Sequence, residues 1–154
     1  MTSKQLMLIA LAVILGGISL YLNKDWFAGD IIQIHHRSLP ARGRFFRRNR
    51  PADASDTEPV VFGFDRKIKL KSLKVIPVSD IETNKYPHPV WDLVAATNSV
   101  AITEFAYGMR VPGMQPRVQG ATADPLVPGI SYRLLIDAGG LKAEHDFVPV
   151  PLTP

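Results

Sequence analysis

"LVPGISYRLLIDAGG", Leu126 to Gly140, is the stretch from which the fold of this chain is read. A Pro-Gly pair opens it, and Tyr132, Leu134 and Ile136 then alternate with Arg133, Leu135 and Asp137. Side chains two apart share a strand face, so the first three point inward and the others outward. Gly139-Gly140 supplies the positive φ that a tight hairpin needs, returning the chain into "LKAEHDF".

Outward from that stretch, from Pro59 onward, short apolar runs are separated by Pro, Gly, Asn and Asp, with no sustained helical period. The pattern predicts strands near Val60 to Phe64, Ile68 to Val78, Val90 to Ala95, Val100 to Tyr107, Ile130 to Ala138 and Ala143 to Val148. A further short one is expected around Arg117. About seven strands in one domain is the pattern of an all-β sandwich.

The Pro-Gly turn, Tyr132 and the alternation after it resemble the corner and penultimate strand of a fibronectin type III or immunoglobulin-like domain. That resemblance implies an immunoglobulin-like sandwich over residues 59–154. It also implies a Tyr132 hydroxyl that returns to backbone near Leu126 and Trp91 as the large core filler. The chain departs from the pattern in having no cysteine and in the proline-rich "VPGMQPRVQGATADPLVPG" before the corner. The whole chain also resembles membrane-anchored bacterial proteins with one such domain, a likeness that implies no activity.

At the other end, "LMLIALAVILGGISLYL", Leu6 to Leu22, is free of charge. As a helix it covers roughly 26 Å, and its flanks extend it to the interfaces of a bilayer core about 30 Å thick. Residues 1–27 therefore read as a transmembrane anchor with Trp26 and Phe27 at the membrane interface. Gly17 and Ser19 also imitate the cleavage site of a signal peptide, but the anchor is the preferred reading. Gly16, Gly17 and Ser19 would let a second helix pack closely. Positive-inside counting is divided, with Lys4 before the span and Lys24 after it, and the arginines beyond begin more than a dozen residues away. Because long C-terminal domains cross largely regardless of charge, the sandwich is expected on the periplasmic, extracytoplasmic side of a single-pass membrane protein.

Residues 28–58 join these parts as an arginine-rich arm and an acidic linker, "PADASDTEP". The stretch from Arg37 to Arg50 carries Arg37, Arg42, Arg44, Arg47, Arg48 and Arg50 with no acid among them, while the whole chain has 18 Lys plus Arg against 14 Asp plus Glu. The excess charge is thus concentrated, and outside this stretch the chain is slightly acidic. An irregular arm containing Pro40, Gly43 and Pro51 must order on something else. Arginine forks suit lipid headgroups or acidic partner residues, with Phe45 and Phe46 buried in that contact. Phosphate contacts and base stacking would use the same residue types, but the anchor and the lack of basic periodicity in the folded region disfavour nucleic acid.

Catalytic chemistry is not legible. His35, His36, His88 and His145 have no metal-ligand spacing, and His145-Asp146 would point to opposite faces of a strand. His35-His36 reads as a solvated pair. The carboxylates are scattered, the serines lack a nucleophile-elbow context, and no cofactor motif is present. No catalytic, metal or cofactor-binding residue is expected. Two functions are consistent with these features. One is an accessory subunit of a larger membrane protein complex, of which respiratory and photosynthetic assemblies are candidate hosts. The other is a free-standing anchored binding module that presents loops such as "ETNKYPHP" or "MRVPGMQPRVQG" to a soluble protein, peptide or glycan.

Overall fold

A computed structural model describes residues 2–23, 31–40, 56–97 and 100–152. The chain divides into two compact units, Met1–Ile31 and Ile32–Pro154. The first contains α1, Ser3–Leu22, none of whose residues is buried. It is long and apolar enough to cross a membrane, a property that signal sequences share. The Gln5 side chain accepts from the Thr2 N–H at its start (3.1 Å), and at its end the Ser19 carbonyl accepts from both the backbone and the side chain of Asn23. These bonds satisfy groups that helix ends leave open.

The second unit is built from two antiparallel sheets. One has the order β1-β2-β5 and the other β6-β4-β3-β7-β8. In chain order the strands are β1 (Ile34–Ser38), β2 (Val60–Lys69), β3 (Ser72–Pro77), β4 (Trp91–Ala95), β5 (Ala101–Ala106), β6 (Met114–Pro116), β7 (Tyr132–Asp137) and β8 (Lys142–Phe147). A short helix, α2 (Val78–Thr83), follows β3. Both sheets feed one hydrophobic core, in which Phe62 of β2 meets Phe105 of β5 and, edge to face at 4.9 Å, Phe147 of β8. Leu73, Val75 and Leu134 are fully enclosed there.

The hairpin that opened the reading forms as its local signals dictate. Tyr132, Leu134 and Ile136 are all buried and alternate with less buried neighbours. Pro128-Gly129 occupies the centre of a turn with Gly129 at φ +80°, and Gly139 and Gly140 both have positive φ between β7 and β8. A side chain is strained at such positions, which is why glycine holds them.

Three features differ from the sequence reading. The segment expected to be an irregular arm includes β1, which pairs with β2 from Ile34 opposite Phe64 to Ser38 opposite Val60. Its alternation puts Ile32, Ile34 and Ser38 on the inner side, with Ile32 4% exposed, while His36 on the same face is exposed. The β unit thus begins before Pro59, and residues 56–58 are drawn into it by hydrogen bonds to 150–152. Second, β2 continues to Lys69 with an irregularity in pairing between Gly63 and Ile68. The chain changes sheet at Leu70-Lys71. Its apolar phase shifts there, from Ile68 and Leu70 to Leu73 and Val75, so one uninterrupted strand could not bury both pairs. Third, the strand expected to reach Val78 ends at Pro77, because α2 takes over. In α2 the Asp80 side chain accepts from the Asn84 side chain and from the His88 backbone. The short strand expected near Arg117 is β6.

Candidate functional site

The edge where β1 joins the β unit collects the side chains best suited to an external role. Of the residues singled out for partner or lipid contact, Arg37 lies in β1, while Arg42, Arg44, Phe45, Phe46, Arg47, Arg48 and Arg50 lie outside the described residues, as do Trp26 and Phe27. Arg37 Nη2 donates to Glu104 Oε2 of β5 at 3.1 Å, with both side chains more than half exposed. A pair so open to water contributes about 0 to 1 kcal/mol. Arg37 therefore has a partner within its own sheet.

The pairing of β1 with β2 changes the character of the arginine stretch. In sequence, residues 41–55 lie between two strands that pair with each other. Leu39 N–H donates to Pro59 O at 2.9 Å, Glu58 N–H to Val150 O at 2.8 Å, and Leu152 N–H to Asp56 O at 2.9 Å. The described residues that flank the stretch, Leu39 on one side and residues 56–58 on the other, are thus bonded within the β unit.

On β1 the two histidines separate, as neighbours on a strand must. His35 lies across Gly63, its direct partner on β2, where an added Cβ would collide with the ring. His36 faces the other way and reaches His145 of β8, with 2.7 Å between His36 Nδ1 and His145 Nε2. The His36 ring also lies 6.0 Å from that of Phe147. Burial lowers the His145 imidazole below its usual value, and His36 and His35 act in the same direction while Asp146 opposes them. Asp146 itself is engaged by Arg133 of β7 through two bonds of 2.6 and 2.8 Å, which hold its carboxyl below the usual carboxylate range.

The two structural residues singled out from the sequence are both in the core. The Tyr132 hydroxyl accepts from Val127 N–H at 3.1 Å, beside the Leu126 position expected for it. Trp91 meets Tyr107 edge to face at 5.0 Å and Phe105 at 6.0 Å. Tyr107 was not anticipated. Its hydroxyl donates to Asp124 O at 2.7 Å, fastening the proline-rich connection before the corner, and burial pushes its phenol upward. The His36–His145 pair was also missed, since its members lie 109 residues apart.

In α1, a Cβ at Gly16 or Gly17 would meet nothing within 4 Å, so this part of the helix surface is open. In the β unit, Arg110, Ala96, Pro112, Gly113, Met114 and Gln115 line an open cavity of about 550 Å³, formed largely by the loop "MRVPGMQ". Among the described residues no group of three or more His, Asp and Glu could hold a metal ion. No protein-family model, curated protein or solved structure matches this chain.

Proposed function

We propose that the chain is a non-catalytic, single-span accessory subunit of a larger membrane protein complex, with its β unit on the extracytoplasmic side. The observation that carries this reading is α1, an apolar helix none of whose residues is buried. Such a surface needs lipid or other helices as its solvent. Gly16, Gly17 and Ser19 offer a place for a neighbouring helix to approach. The arginine stretch supplies donors for acidic partner residues or lipid headgroups. A respiratory or photosynthetic assembly is a host of the right kind.

The β unit is read as an immunoglobulin-like sandwich of the fibronectin III type. Two observations support this. Taken as A, B, C, C′, E, F and G, the strands β1, β2, β3, β4, β5, β7 and β8 give sheets A-B-E and C′-C-F-G, with β6 added beyond C′. Tyr132, at the start of F, bonds to backbone upstream as in a tyrosine corner. Trp91 departs from the immunoglobulin arrangement by lying on C′ rather than C.

Gentle detergent extraction followed by native gel electrophoresis and mass spectrometry tests the proposal. The protein should comigrate with larger membrane subunits, and migration alone would overturn the reading. The open cavity at Arg110 favours a second reading, an anchored binding module whose loops take a soluble protein, peptide or glycan. Under that reading the protein migrates alone, and Arg110→Ala weakens capture of the ligand.

A further inference from the structure

The two sheets meet at one edge through a pair of imidazoles. The ring centroids of His36 and His145 are 4.9 Å apart, leaving room for little more than the two rings and the 2.7 Å between their nitrogens. The nitrogens therefore face each other, an arrangement that holds one proton, with one ring donating and the other accepting. Two imidazoles bound to one metal would instead direct their lone pairs at a common point beside that line. From this geometry we propose that His36 and His145 form a proton-operated clasp that holds β1 to β8 and releases it on acidification.

The consequences follow from proton counting. A neutral pair keeps the N–H···N bond, and a singly protonated pair keeps it too, because the added proton goes to an outer nitrogen. A second proton leaves two donors facing each other and two positive charges in contact. The N–H···N bond thus survives the first proton and is lost with the second, which opens the clasp. The surrounding groups offer little help to a doubly charged pair. On β8, Asp146 is committed to Arg133 of β7, and Glu144 lies 3.9 Å from the same guanidinium. Lys142, also on β8, is cationic. On β1, His35 and Arg37 point to the opposite face, where Arg37 pairs with Glu104 of β5. From within the unit the pair is backed by Phe147, which packs on Phe62. The lowered His145 value agrees in direction. Opening the clasp removes the tie between β1 and β8 and leaves β1, which leads in sequence into the arginine stretch, held by its ladder to β2 alone.

The test uses the full chain in detergent micelles, with backbone amide exchange read by mass spectrometry and corrected for the intrinsic effect of pH. Between about pH 7.5 and about pH 5, exchange in residues 34–38 should rise about tenfold while β3 and β7 stay protected. In His36→Gln and His145→Gln that pH response should vanish, whereas His35→Gln, on the opposite face, should keep it. Should the glutamine variants fail to fold, imidazole nitrogen chemical shifts of the unaltered chain give the answer through two coupled titration steps. The proposal is overturned if β1 protection is independent of pH, if the response persists in both glutamine variants, or if zinc chloride alone binds stoichiometrically and protects β1 at neutral pH.

Discussion

The Tyr132 hydroxyl accepts a hydrogen bond from the backbone N–H of Val127, five residues upstream, and this bond closes the turn that contains Pro128 and Gly129. The ring is 3% exposed and stacks on Phe147 at 5.8 Å, so the tyrosine is positioned by packing as well as by its hydroxyl. Tyr132→Phe keeps the packing and strands only the Val127 N–H. Since Val127 is itself about half exposed, water partly replaces the lost partner, and the expected loss in urea unfolding is about 1 kcal/mol. Tyr132→Ala also opens a cavity in the core and should cost about 3 to 5 kcal/mol. Equal effects of the two changes would refute this division of roles.

Gly63 and His35 are direct cross-strand partners, and the ring occupies the space above the glycine. Gly63→Ala forces the His35 side chain away, while the strand's φ suits alanine well. The substitution should therefore destabilise the chain in the presence of His35 and become neutral or stabilising in a His35→Ala background. A double-mutant cycle reads this as a coupling energy of about 0.5 to 1 kcal/mol. Simple additivity would mean that the ring is not held there.

Arg133 grips Asp146 across the β7–β8 pair and lowers its carboxyl. A carboxylate depressed in the folded state binds protons more weakly than the unfolded chain does. Its contribution to stability is present above the unfolded value of about 3.9 and fades as pH falls through the folded one. Arg133→Gln should accordingly lower the melting temperature at neutral pH, with the difference from the unaltered chain shrinking below about pH 4. A gap that stays constant into acid would assign the loss to packing of the arginine stem.

Legibility in the sequence followed the range of the interactions. The β7–β8 hairpin was readable because Pro128-Gly129, the alternation from Tyr132 to Ile136 and Gly139-Gly140 all lie within one short segment. β1 was obscured, although Ile32 and Ile34 alternate correctly, because histidine and arginine dominate its composition and its partner β2 lies beyond the arginine stretch. The sheet change at Leu70-Lys71 is written in the phase of the apolar residues, yet a run that apolar invites reading as one strand. His36 and His145 carried no mutual signal at all, since only the closure of both sheets brings them together. Tyr107 was concealed in the same way by its dependence on Asp124 and Trp91.

The side of the membrane that carries the β unit is open to direct measurement. Protease added to intact spheroplasts should digest the β unit and leave the N-terminal tail protected, as the extracytoplasmic placement requires. Protection of the whole chain until the inner membrane is breached would instead put the β unit in the cytoplasm, in agreement with the arginines that follow the span.

The arginine stretch separates attachment from stability. Arg37 is paired with Glu104 within its sheet, whereas residues 41–55 lie between β1 and β2, whose pairing does not depend on them. Replacing Arg42, Arg44, Arg47, Arg48 and Arg50 together by glutamine should therefore leave the thermal midpoint of the β unit unchanged. The same change should loosen attachment to the membrane complex or to anionic lipid vesicles. Attachment of the unaltered chain should weaken as salt rises, because exposed charge pairs are screened over about 8 to 10 Å at physiological ionic strength. Phe45 and Phe46, replaced by serine, should weaken attachment with less dependence on salt, since their contribution is burial rather than charge. Unfolding of the β unit by the glutamine changes would make the stretch part of the core. Loss of RNA or DNA retention alone, with attachment intact, would turn the reading toward nucleic acid.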